Sequence, residues 1–154
     1  MTSPGAYSAI ADLSAPFSTP PSEALTDPEL LDAQRELAEI RRRVDAASAA
    51  LAGEIEHRSR PELGYNGLAQ RLGARTAAAL VQRATGNSAR ESHTLVRVGT
   101  LMRTPQPWLG EVAEAIAMGR LSVSAADALR SGLGTPTAEV PAGVLASAAS
   151  TLLD

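Results

Sequence analysis

Two kinds of side chain in this 154-residue chain could do chemistry: a few groups able to hold a proton or a metal, and a dense population of guanidiniums. The first set is small. His57 and His93 are the only histidines, cysteine is absent, and neither histidine stands at a spacing that would pair it with a nucleophile or converge it with other metal ligands. Glu54, Glu56 and His57 crowd together near a helix end, which a solvated polar terminus explains better than a metal site with its supporting outer shell. No strand pattern exists for a glycine-rich phosphate loop to follow, and the carboxylates are scattered without a pair in an apolar setting. A catalytic site, a cofactor and a bound metal are therefore not expected within these residues.

The second set is more informative by its position than by its number. All fourteen basic residues are arginine, which together with the heavy use of alanine reads as uniform codon bias and not as arginine chemistry. Residues 1–34 carry five acids and no arginine, and residues 104–154 carry two arginines against five acids. Between them, residues 35–103 carry twelve arginines against seven acids. Within that middle part, residues 58–103 hold eight arginines and only Glu62 and Glu91, so eight minus two gives a local balance of +6. Such a balance attracts phosphate if the guanidiniums share a face, and is otherwise a solvated helical surface.

The stretch LAQRLGARTAAALVQR, residues 68–83, offers them an arrangement: a short helix, a glycine turn and a second helix, as in a helix-turn-helix element. Ala69 is small where the helices would cross, Leu72 is expected to face inward, Gly73 suits a left-handed turn, and Ala79 and Leu80 would anchor the second helix. Arg75, Thr76 and Ala77 would open that helix. The candidate nucleic-acid contacts are Arg71, Arg75, Thr76, Gln82, Arg83, Arg90 and Arg97. Any αα-hairpin can be built the same way, and Ala77, Ala78 and Ala79 have no hydrogen-bonding side chain to read a base, so plain core packing stays open as the other use of this stretch. A second helix-turn-helix-like run, AMGRLSVSAADALRSGLG, lies in acidic surroundings and reads as structural.

The elements that must position these residues are helices throughout. Aromatic residues number four, Tyr7, Phe17, Tyr65 and Trp108, and the apolar content is mainly Ala and Leu, which favour helix over strand. The expected fold is all-α: a long N-terminal helix followed by a multi-helix domain with helix-turn-helix-like elements. Residues 1–25 are rich in Ser, Pro and Ala without periodicity and read as a disordered tail, with neither the basic start nor the apolar run of a signal peptide. No run approaches the ~18 apolar residues of a membrane span, so a cytoplasmic protein with no membrane partner is expected. Residues 26–60 read as one amphipathic helix, opened by Thr26 and Glu29 as a capping box with Pro28 in the first turn, and closed before Pro61. Leu30, Leu37, Val44 and Leu51 recur at seven along it, with Ala33, Ile40 and Ala47 between, a seam that could pair with a second copy as a homodimer or pack on the chain's own later helices. Packing on the chain's own later helices is the expected use of the seam.

Residues 61–154 read as shorter helices, each with its own start and stop: Asn66 to Gly73, Thr76 to near Gly86, Ser88 with Glu91 through about Met102, Trp108 to Met118, Ser122 through Arg130, and a last one from Pro141. That last helix meets Asp154 with its apolar stripe still running and no stop signal, so the helical domain is expected to be incomplete at its C-terminus.

The segment RSRPELGYNGLAQRLGARTAAALVQRATGNSARESHTLVRVG, followed by PWLGEVAEAIAMGRLSVSAADALRSGLG, resembles the actinobacterial family called domain of unknown function 222. That family is the helical N-terminal part of mycobacterial repeat-type proteins that usually end in an HNH endonuclease module. The likeness covers residues 27–154 and is most specific in LVRVG (Leu95 to Gly99), in G-x-LS-x-x-x-AD-x-L (Gly119 to Leu129) and in the GLGTPT turn. It implies that a full-length relative cuts DNA with a divalent metal held by an HNH module, a motif that no position here matches. It also implies that this part serves in targeting, DNA contact or assembly.

Overall fold

Pro61, Gly73, Gly86, Gly119 and the TPQP break each follow a helix end in the computed structural model, which describes residues 22–153. Those residues form α1 (Asp27–Arg58), α2 (Leu68–Arg71), α3 (Ala77–Thr85), α4 (Ala89–Arg103), α5 (Gly110–Ala117), α6 (Val123–Leu133) and α7 (Ala142–Leu153). Short 3-10 turns occupy Ser22–Ala24, Pro61–Asn66 and Pro107–Leu109, and no strand is present among the described residues. The all-α expectation is met. The tail expected over residues 1–25 falls almost wholly outside the described residues.

The caps act by satisfying backbone donors that a helix start leaves without partners. Ser88 and Glu91 form the complete reciprocal box at the start of α4, while Thr76 and Ser122 each accept a backbone N–H at the starts of α3 and α6. At the start of α1 the Thr26 backbone N–H and hydroxyl both donate to the Glu29 carboxylate, at 2.8 and 2.7 Å, and hold its carboxyl below the usual carboxylate range. Asn66 does not cap α2. It closes the 3-10 turn that Pro61 starts, and Gly67 takes the cap position, because the turn at Gly64 (φ 48°) redirects the chain first.

The chain divides into two compact units within α1, after Glu36. The first carries the Thr26–Glu29 start and the opening turns of α1, where Leu30 and Leu31 are exposed. In the second, α4 is central and packs against α3, α5 and α6, while α7 closes on α5, α6 and the Pro107–Leu109 turn. Its most deeply buried large side chains are Leu109, Ile116, Val98 and Val112.

Within this unit α1 approaches α4 on small residues: Ala46, Ala49, Ala52 and Gly53 are its buried positions. Gly53 and Gly99 meet backbone to backbone. A methyl group built on Gly99 would overlap the Ala49 carbonyl oxygen and stand 2.5 Å from the Gly53 nitrogen. Since a helix turns about 100° per residue, Ala46, Ala49 and Gly53 lie nearly opposite Leu37, Ile40, Val44 and Leu51. Those four large side chains are exposed, with Leu37 at 41 % and Leu51 at 44 %. The reading that favoured packing of the heptad seam on the chain's own helices is thereby corrected: the small-residue face is the one that lets the helix backbones close, and the seam points away from the core.

Adding a methyl at this crossing forces two backbones apart. Gly99→Ala is expected to destabilise the protein by roughly 3 kcal/mol or more, the upper end for overpacking. Gly132→Ala, on α6 with open space around it, is expected to stabilise by about 0.5 kcal/mol through helix propensity alone. Urea unfolding followed by circular dichroism measures both.

Candidate nucleic-acid interface

The α2–α3 element begins where α1 ends, and one buried hydroxyl joins them. Ser59 donates to the Ile55 carbonyl at 2.7 Å and accepts from the Ala69 N–H at 3.1 Å, so the first turn of α2 is tied to the last turn of α1. Ala69 is fully buried, as its place at the helix crossing requires. After α2 the Gly73 N–H bonds the Gln70 carbonyl and the Ala74 N–H bonds the Ala69 carbonyl, a Schellman arrangement in which residue 73 must take a positive φ (69°). Glycine is the residue that does so without strain.

Arg83 then reaches back from α3 and donates to the Leu72 carbonyl at 2.7 Å, filling an acceptor left over at the end of α2. Arg83 thus fixes the angle between the two helices while its side chain stays at the surface. Leu72 does not face inward. With α2 only four residues long, Leu72 falls at the cap, its carbonyl is turned toward Arg83, and its side chain is exposed. On α3 the buried residues are Ala77, Ala78, Leu80 and Val81; Ala77 is unavailable for contacts and the exposed Ala79 is not an anchor.

The seven candidate contact residues, Arg71, Arg75, Thr76, Gln82, Arg83, Arg90 and Arg97, are all exposed. They fall into four groups. Arg71, Arg75 and Arg83 surround the Gly73 turn, and no ion pair ties them to a carboxylate among the described residues. Arg90 lies in the first turn of α4, beyond the far end of α3, which at about 1.5 Å per residue is some 13 Å long. Thr76 caps the start of α3, its oxygen already accepting from the Ala79 N–H at 3.1 Å, and Gln82 lies further along that helix.

Arg97 stands apart. Asp127 on α6 accepts from its Nε at 3.0 Å and its Nη2 at 2.5 Å, and this contact holds the Asp127 carboxyl below its ordinary range. Other arginines have carboxylate partners too: Arg58 and Arg103 share Glu54, and Arg130 reaches Asp127, already bound to Arg97, at 3.4 Å. Arg60 donates to the His57 carbonyl at 2.7 Å and Arg42 to the Gly119 carbonyl at 2.8 Å. Arg42, Arg43, Arg60 and Arg120 have no carboxylate partner among the described residues either, but residues 63–90 are the stretch in which four arginines occur with no acid. Tyr65, at 95 % exposure, adds an aromatic face at its start. Sequence reasoning passed over that residue; its one signal was an aromatic beside Gly64 and Asn66, in a turn with nothing to pack on.

Among the described residues no group of three or more metal-ligating side chains converges. No helix there is long and apolar enough to cross a membrane. Comparison with protein-family models, with curated proteins and with solved structures returned no match.

Because the folded Asp127 carboxyl lies below its unfolded value, its contact with Arg97 contributes stability above about pH 4 that is lost as pH falls further. Asp127→Asn is expected to lose roughly 1 kcal/mol at neutral pH, the partly exposed Arg97 limiting the effect, and to show a smaller acid-induced loss than the wild type. Thermal melts from pH 7 down to pH 2 measure both.

Proposed function

We propose that this chain is a non-catalytic helical module that contacts DNA through α2, the Gly73 turn, α3 and the first turn of α4, and that it acts as the N-terminal targeting part of an HNH-endonuclease-type protein. The observation that carries the contact surface is the partition of charge. Carboxylates hold Arg58, Arg97 and Arg103, whereas Arg71, Arg75 and Arg90 are exposed and have no ion pair among the described residues. Phosphate binding requires such uncompensated guanidiniums, because an arginine already bound to a carboxylate must lose that bond first. The rest of the reading, the nuclease context and a divalent metal used elsewhere in a longer protein, rests on the resemblance of the sequence alone. Such a role is exercised in the cytoplasm.

Contacts by Arg71, Arg75 and Arg90 to three phosphates predict that the logarithm of affinity falls with the logarithm of salt with a slope of about −2.7. Fluorescence anisotropy with a labelled duplex, repeated across salt, measures that slope. The combined variant Arg71→Ala, Arg75→Ala, Arg90→Ala should abolish binding and Arg120→Ala should leave it intact. No binding at low salt, or binding unchanged in the combined variant, rejects the surface.

A second reading, self-association as a scaffold, is favoured by the exposure of Leu37, Ile40, Val44 and Leu51 on the side of α1 opposite its buried face. Leu37, Val44 and Leu51 repeat at seven, so the stripe is complementary to itself in a two-stranded coiled coil, which makes a second copy of the chain its natural occupant. Sedimentation equilibrium is expected to give a dimer for the wild type and a monomer for Leu37→Asp. A monomer in both cases removes this reading and leaves the DNA-contact reading untouched.

A further inference from the structure

A cleft of about 460 Å³ lies between the last turns of α1, one face of α4 and the C-terminal end of α6, all in the second unit and apart from the arginines of the α2–α3 element. Its size is in the range of small-molecule sites. Val96, Leu101 and Leu109 supply a floor of side chains buried in the core. Arg97, Arg130 and Glu56 also line it.

The charge on these walls is unequal to what the protein itself satisfies. Asp127 takes Arg97 through two bonds but reaches Arg130 only at 3.4 Å, so one carboxylate faces two guanidiniums and one positive charge remains. At the end of α1 a carboxylate is left over. Glu54 is taken by Arg58 and Arg103, while Glu56, two residues on and therefore on another face of the helix, has no ion pair among the described residues. The cleft thus presents one uncompensated positive charge, one uncompensated negative charge and an apolar floor.

We infer that this cleft binds a small zwitterion with an apolar side chain, of the amino-acid class, with its carboxylate on Arg130, its ammonium group on Glu56 and its apolar part on Val96, Leu101 and Leu109. A simple anion would meet repulsion from Glu56 and a simple cation repulsion from Arg130, whereas a zwitterion satisfies both and desolvates only carbon against the floor.

Titration of the ¹⁵N-labelled full chain with leucine, isocaproate and isoamylamine tests this, since the last two each keep the apolar part and one of the two charges. Leucine is expected to move the amide signals of Val96, Leu101 and Leu109 saturably, and each single-charge analogue to bind at least about tenfold more weakly, the equivalent of ~1.4 kcal/mol. Arg130→Gln should weaken leucine about tenfold. Glu56→Gln should remove the preference for leucine over isocaproate. The absence of a saturable shift with leucine overturns the inference, as does isocaproate binding the wild type as tightly as leucine. The wild-type titration decides the matter even if a variant fails to fold, and DNA binding through Arg71, Arg75 and Arg90 is unaffected by the result.

Discussion

The contact between Gly53 and Gly99 is the constraint on which the second unit depends. Two helix backbones touch there without side chains between them, with the Ala49 carbonyl against the Gly99 Cα. Helices packed through larger residues stand 8–10 Å apart by their axes, and only small residues permit a closer approach. This approach is what brings Glu54 within reach of Arg103, 49 residues away in sequence, and it sets the end of α1 beside α4 so that Glu56 and Val96 line one cleft. It also dictates the fate of the large residues of α1. If the inner face must be alanine and glycine, then leucine, isoleucine and valine on the same helix can only lie elsewhere, and Leu37, Ile40, Val44 and Leu51 do.

Electrostatics within that frame follow from which carboxylates the packing delivers. Asp127 comes from the acidic C-terminal part of the chain and is carried to Arg97 by the packing of α6 on α4. Glu54 serves Arg58 along its own helix and Arg103 across the crossing. The partition between paired and unpaired arginine is therefore a by-product of the helix arrangement, and it leaves Arg71, Arg75 and Arg83 of the α2–α3 element without a carboxylate partner among the described residues. Arg83 shows why exposure and availability differ: it lies at the surface, yet one of its donors is committed to the Leu72 carbonyl and holds the turn together.

Much of the local structure was legible along the chain. Thr76, Ser88 with Glu91, and Ser122 marked helix starts because a side-chain oxygen three residues before a helical N–H is a purely local device. Gly73 and Gly119 marked turns for the same kind of reason, a positive φ that needs no distant partner. The misreadings came where local signals were incomplete. Asn66 is a good cap residue by type, but Gly64 bends the chain before it; Leu72 and Ala79 take inward places in a helix-turn-helix template, but the first helix ends at Arg71, which leaves Leu72 at the cap, and α3 turns Ala77, Ala78, Leu80 and Val81 inward and Ala79 out.

The sequence by itself determined that the chain is helical, where the capped helices begin, and that residues 63–90 carry arginine without acid, because each of these depends on neighbours within a turn or two. Only the tertiary structure decided which of two faces of α1 is buried, which arginines are compensated, and that Glu56, Arg130 and an apolar floor meet in one cleft. Those outcomes depend on pairs of residues far apart in the chain, whose meeting is set by how closely two backbones can pack.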